Sequence, residues 1–82
     1  MLTTALESMA IATVAYDAAG QVLWLQFRSH VVYRYFGVTD TVYRALLAAD
    51  SKGTYFNRSI RHQFPCQKAA TDGPFSLPTT VR

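Results

Sequence analysis

The chain has 82 residues, which is enough for one small domain. Its formal net charge of +3 is too small to identify a binding partner. Its single cysteine, Cys66, excludes an internal disulfide, and no apolar run approaches the roughly 20 residues that a membrane-spanning helix needs. Residues 1–20 contain no Lys or Arg, so the basic start of a signal peptide is missing and we expect a cytoplasmic protein.

The N-terminal part of the chain predicts a short flexible segment followed by a strand. Residues 1–7 show no periodic pattern, and we expect them to be flexible. Small and β-branched residues fill the stretch from about Met9 to Tyr16, and the turn signal Asp17–Gly20 follows. The alanines in this stretch are also compatible with a helix, but the short length of the stretch and the turn that follows it favour a strand.

The central part of the chain predicts a hairpin. Gln21–Arg28 alternates between apolar and mixed positions, and Val31–Phe36 is the densest aromatic run. With three residues at the tip, Phe27 lies opposite Tyr33 and the tyrosines share the core face. With two residues at the tip, every side chain changes face. We favour three residues, because they give one continuous apolar face.

Two helices are predicted after the hairpin. Thr39 or Asp40 caps the first helix, whose apolar residues recur at helical spacing up to Ala49. Ser51 caps a second, shorter helix that ends near Ile60. The fold class is therefore α+β: a three-stranded antiparallel sheet in β-β-β-α-α order, with both helices packed on one face. The predicted domain covers residues 8–65, and residues 66–82 lack periodicity and predict a disordered tail.

The order and spacing of several short motifs carry a family resemblance. These motifs are Tyr33-Arg34-Tyr35, Phe36-Gly37-Val38, Val42-Tyr43, Ser51-Lys52-Gly53 and Tyr55-Phe56-Asn57. Over residues 8–65 the chain resembles the KTSC domain, a module found at the C-terminus of some lysyl-tRNA synthetases and as small stand-alone bacterial proteins. Thr39 departs from the proline usual in the family. The attachment to a synthetase implies an expectation of RNA binding.

Basic and aromatic residues interleave in the second half of the chain. Residues 28–68 contain seven basic and two acidic residues, whereas residues 1–27 contain two acidic and no basic residues. Aromatic rings stack on unpaired bases, and arginine and lysine contact phosphates. The candidate nucleic-acid-binding residues are Trp24, Tyr33, Arg34, Tyr35, Lys52, Arg58 and Arg61. We therefore expect weak binding of RNA, including tRNA, or of another single-stranded nucleic acid.

Less specific interpretations of the same residues stay open. The two tyrosines fit burial under the first helix, which leaves Trp24 and Arg34 as the outward candidates. The basic residues near the second helix fit an ordinary solvated face. Five Phe, five Tyr and one Trp exceed what so small a core hides. The alternative function is therefore a protein–protein interaction module, or a homodimer, that uses the open sheet face or an edge strand.

No catalytic or metal-binding constellation is visible in the sequence. His62 and Cys66 supply only two ligands at metal-binding spacing, and zinc needs three or four. The acidic residues are scattered rather than paired, and no glycine-rich phosphate loop is present. We expect no metal, no cofactor and no enzymatic activity.

Overall fold

A computed structural model describes residues 3–6, 10–69 and 74, and these residues form an α+β fold. Five antiparallel strands make one sheet in chain order, and two helices lie between the fourth and the fifth strand of this described part. The elements are β1 (Thr3–Ala5), β2 (Ile11–Asp17), β3 (Val22–Phe27), β4 (Val32–Phe36), α1 (Asp40–Ala48), α2 (Lys52–Ser59) and β5 (Cys66–Lys68).

The prediction of three strands is wrong, because β1 and β5 extend the sheet at both edges. Each has only three residues, too few for a period of two to show in the sequence. They form through backbone pairing with β2 and β4, which supply donors and acceptors regardless of side-chain pattern. These strands lie within the predicted flexible segment 1–7 and the predicted tail 66–82. Residues 1–2, 7–9, 70–73 and 75–82 lie outside the described residues.

The β3–β4 hairpin has the predicted alternation of faces but a different pairing. Leu25 lies opposite Tyr33, whereas the predicted three-residue tip placed Phe27 there. The tip does contain three residues, 28–30, but it begins one residue earlier than predicted. His30 closes the tip with φ +73°, and its N–H donates to the Phe27 carbonyl at 2.8 Å. The resulting shift is two residues, so each side chain keeps its predicted face.

Both predicted helix caps are present. The Thr39 hydroxyl accepts from the N–H of Val42 at 3.4 Å, and the Ser51 hydroxyl accepts from the N–H of Thr54 at 3.3 Å. The two helices pack on the sheet face that carries the leucines of β3. The fully buried residues of this core are Ile11, Val14, Leu23, Leu25, Val38, Leu46 and Ile60. Neither helix is long and apolar enough to cross a membrane, and the same holds throughout the described residues.

Candidate functional site

A groove of about 570 Å³ opens between α2 and the adjacent strands of the sheet. Its volume falls within the range of about 300–1,000 Å³ that is usual for small-molecule sites. Four aromatic side chains form its floor, and polar side chains from α2 and the segment that follows it form its rim. We call this site the groove and define it by Phe27, Tyr33, Tyr35, Phe56, Asn57, Arg61, His62 and Cys66.

The floor is a set of edge-to-face ring contacts. The Phe27 ring centroid lies 6.0 Å from that of Tyr33 and 5.6 Å from that of Phe56. Tyr35 contacts Phe56 with centroids 5.4 Å apart. Tyr35 and Phe56 are 4% and 5% exposed, whereas Phe27 and Tyr33 are half-buried. Phe27 and Tyr33 therefore keep part of their surface open to a ligand, while Phe56 packs against Phe27 and Tyr35 packs against Phe56.

The rim is polar and cationic. Asn57 and Arg61 follow each other at helical spacing on the exposed side of α2 and its end, and the Arg61 Nη1 donates to the Asn57 Oδ1 at 3.5 Å. His62 and Cys66 complete the rim and are exposed. The acidic residues that the structure describes are Asp17, Asp40 and Asp50, and none of them lines the groove. The described wall of the groove thus favours an anionic ligand.

Strand β5 brings two further side chains to this side of the sheet. Cys66 pairs with Tyr35 and Lys68 pairs with Tyr33, and directly paired residues share a face. Lys68 therefore lies on the same face as the groove floor. Burial, followed by the neighbouring Cys66 thiol, raises the pKa of Tyr35 to about 12, so this hydroxyl stays protonated at neutral pH.

The opposite face of the sheet carries Trp24 and Arg34. The guanidinium carbon of Arg34 lies 5.3 Å from the Trp24 ring centroid and 5.6 Å from the Phe36 ring centroid. Its Nη2 donates to the Gln67 Oε1. Arg34 thus makes cation–π contacts with two rings and a hydrogen bond with an amide. Together these contacts restrict the position of its guanidinium.

The structure divides the seven candidate residues among several places. Trp24 and Arg34 lie on the open sheet face, whereas the two tyrosines and Arg61 line the groove. The ammonium of Lys52 donates to the Ala49 carbonyl at 2.9 Å. Arg58 lines a separate cavity of about 360 Å³ together with Asp50. The predicted burial of both tyrosines under the first helix holds only in part: Tyr35 is 4% exposed and packs against Phe56 of α2, whereas Tyr33 is half-buried.

Five of the eight groove residues were missed as ligand-binding candidates. Phe27 was assigned to the core face only, and Phe56 and Asn57 were quoted only within a family motif. The spacing of Asn57 to Arg61 is visible in the sequence but was not used. His62 and Cys66 were weighed only as metal ligands. Within the described residues, no group of three or more His, Cys, Asp or Glu side chains is placed to hold a metal ion.

Comparisons with known proteins agree with this architecture. The KTSC domain profile matches residues 7–64. The chain belongs to the KTSC domain family. The crystal structure of the KTSC domain protein YPO2434 from Yersinia pestis superposes with a TM-score of 0.80 at 31% identity, covering 83% of this chain and 96% of that one. The matched range differs by one residue at each end from the resemblance seen in the sequence.

Relatives of this KTSC domain occur both alone and within a longer enzyme. An uncharacterized protein of Stutzerimonas stutzeri is 40% identical over 63 residues, which are 77% of this chain and 89% of that protein. The lysine–tRNA ligase of Nostoc sp. is 41% identical over 58 residues, which are 71% of this chain but only 10% of the ligase. The KTSC domain is thus a small part of that ligase.

Proposed function

We propose that this KTSC domain is a non-catalytic module that binds single-stranded RNA weakly in the groove. The observation that carries the proposal is the groove itself, in which accessible rings and the cationic Arg61 lie side by side and which no described acid lines. Phe27 and Tyr33 offer stacking surface, and base–aromatic stacking contributes about 1–3 kcal/mol per base. Arg61 is placed at the rim, where a phosphate flanking a stacked base would pass.

Two further points support an RNA ligand. Lys68 lies on the same face, which extends the positive charge along β5. Similar segments occur in two proteins named lysine–tRNA ligase, and this name identifies tRNA as their substrate. With so few cations the affinity is low, and log affinity falls with log salt by only about 0.7 per phosphate contact.

The experiment is a fluorescence-anisotropy titration of labelled tRNA and of a labelled random single strand at roughly 50 mM salt, where the electrostatic contribution is large. Arg61→Gln removes the rim cation, and Arg44→Gln is its matched control. Arg44 lies on α1, outside the groove, and pairs with Asp40 at 2.7 Å in an exposed ion pair that contributes little to stability. Both variants lose the same charge.

The expected result is binding of the single strand that weakens in Arg61→Gln and is nearly unchanged in Arg44→Gln. Loss of one phosphate contact on a single strand lowers the slope of log affinity against log salt by about 0.7. Equal weakening in the two variants would show that only net charge acts. Absence of binding to both RNAs would overturn the proposal.

A second candidate function rests on the open sheet face. Trp24 and Phe36 are half-buried there beside Arg34, which is a large aromatic surface for so small a sheet. This surface favours contact with another protein chain or with a second copy. Sedimentation velocity tests the homodimer: a dimer that is broken by Trp24→Ser supports the open face, and a monomer at all concentrations argues against a homodimer.

A further inference from the structure

We propose that the Tyr35 hydroxyl and the Arg61 guanidinium together bind one phosphate group of the RNA strand. This inference rests on the proposed function, because it identifies the atoms of the same groove that hold the backbone of the ligand. It extends the role of Tyr35, whose ring is buried in the floor of the groove and whose hydroxyl lies at the far end of that ring.

The position of the Tyr35 hydroxyl is fixed by the packing of its ring. Tyr35 is 4% exposed, and its ring meets the Phe56 ring edge to face at an interplanar angle of 84°. Tyr35 nevertheless lines the groove. Because the hydroxyl is attached rigidly to the ring, the packed ring holds this oxygen in one place on the groove wall. A ligand that bonds it therefore pays little entropy for ordering this side chain.

The group that faces this hydroxyl is the thiol of Cys66. The Phe36 N–H donates to the Pro65 carbonyl at 2.9 Å, so the next pair of this ladder, Tyr35 and Cys66, is a non-hydrogen-bonded pair, whose side chains lie closer together. A thiol sulfur is only a weak acceptor. In the part of the chain that the structure describes, the Tyr35 hydroxyl makes no hydrogen bond to an oxygen or a nitrogen. It therefore keeps the capacity to donate to a stronger acceptor.

Arg61 is anchored next to this hydroxyl. Its backbone N–H donates to the Phe56 carbonyl at 2.9 Å, and Phe56 is the residue whose ring packs on Tyr35. The Tyr35 pKa reports the same proximity: burial raises it most, the neighbouring Cys66 raises it further, and the positive charge of Arg61 lowers it. A cation and a hydroxyl donor thus adjoin the same part of the groove.

A phosphate group matches this pair of donors. It supplies negative charge for the guanidinium and several oxygens that can accept from separate donors, and tyrosine hydroxyls are among the groups that contact phosphates. The Tyr35 hydroxyl keeps its proton at neutral pH, because its pKa is about 12. Asn57 accepts from one Nη1 hydrogen of Arg61 at 3.5 Å, which leaves the other guanidinium hydrogens for a ligand. No described carboxylate lines the groove to compete for these donors.

The test is a titration of the labelled random single strand at roughly 50 mM salt. Tyr35→Phe removes the hydroxyl and keeps the ring. Tyr43→Phe is the matched control, because Tyr43 is a half-buried tyrosine of α1 that stacks on Tyr16 and does not line the groove. Tyr35→Phe should weaken binding about tenfold, the size of effect expected for a hydrogen bond to a charged group, and Tyr43→Phe should leave it nearly unchanged.

Arg61→Gln and the double variant show whether the two groups bind the same phosphate. If they do, Tyr35→Phe should weaken binding much less in the Arg61→Gln background than in wild type, because the two contacts are coupled. Circular dichroism checks that each variant is folded. Equal effects of the two tyrosine substitutions, or additive effects of Tyr35→Phe and Arg61→Gln, would overturn the inference and leave the proposed function standing. Absence of binding to wild type would remove both.

Discussion

Arg34 and Trp24 lie directly opposite each other on β4 and β3, and the guanidinium carbon of Arg34 is 5.3 Å from the Trp24 ring centroid. The Arg34 guanidinium is thus engaged in a contact between two strands of the sheet. The sequence offered both residues as nucleic-acid contacts, but the structure places them together on the face away from the groove. A substitution of Arg34 therefore tests whether this residue stabilises the fold or binds RNA.

Arg34→Met is expected to lower the free energy of unfolding by about 1 kcal/mol, because it removes a partly desolvated cation–π contact while keeping an unbranched apolar stem. Urea denaturation followed by circular dichroism measures this change. Trp24 is the only tryptophan of the chain, so its emission should also shift in the folded variant.

The RNA affinity of Arg34→Met should fall no further than that of Arg44→Gln, which removes the same charge from an exposed site. A loss of affinity as large as that of Arg61→Gln, with unchanged unfolding, would assign Arg34 to the binding surface instead.

Tyr35 makes stability sensitive to alkaline pH. Its pKa is raised from 10.0 to about 12 in the folded protein, chiefly by burial. The unfolded chain therefore loses this proton first, and the contribution to stability is fully present below pH 10 and is lost as pH rises through about 12. Urea midpoints of wild type should fall across this interval.

Tyr35→Phe should reduce that alkaline fall, because it removes the titrating hydroxyl. Tyr16, whose pKa is also raised, first by burial and then by Asp40 and Asp17, is present in both proteins. The difference between the two pH profiles therefore isolates Tyr35. Parallel profiles of Tyr35→Phe and wild type would show that the hydroxyl is as easily ionised in the folded protein as in the unfolded one.

Two glycines are expected to respond to alanine in opposite directions. Gly37 has φ +77°, and an added Cβ would have no heavy atom within 4 Å apart from its chain neighbours. The cost of Gly37→Ala is thus a backbone cost of about 1–2 kcal/mol. In α2, Gly53 has a helical conformation, and an added Cβ would lie 3.9 Å from the Ala10 Cβ.

Gly53→Ala should therefore stabilise the protein by up to about 1 kcal/mol, since alanine favours a helix over glycine and the contact with Ala10 is an ordinary van der Waals distance. Thermal and urea unfolding of the two variants measure both effects. Destabilisation by Gly53→Ala comparable to that by Gly37→Ala would mean that the packing of α2 on the sheet tolerates no added methyl group.

The sequence predicted the elements that have a periodic apolar pattern or a capping hydroxyl. The alternation in β3, the helical spacing in α1 and the hydroxyls of Thr39 and Ser51 each carry local information, and these elements lie close to their predicted positions. Strands β1 and β5 were not predicted, because backbone pairing with a neighbouring strand forms them and a three-residue side-chain pattern does not reveal it.

The groove was not predicted for a related reason. It depends on β5 placing Cys66 opposite Tyr35, residues 31 positions apart in the chain, and on α2 crossing above them. No local pattern in the sequence indicates that these two distant residues pair. The separation of Trp24 and Arg34 from the groove does follow from strand alternation, which the sequence showed, but the rim of the groove requires the tertiary fold.

Chemical-shift mapping with a short single-stranded RNA tests the central claim most directly. Isotope-labelled protein is titrated at low salt, and the amide and side-chain signals of both sheet faces are followed. Binding in the groove predicts changes at the Asn57 side-chain amide, Arg61 and Cys66, with little change at the Trp24 indole. Changes centred on Trp24, Phe36 and Gln67, or no changes at all, would contradict it.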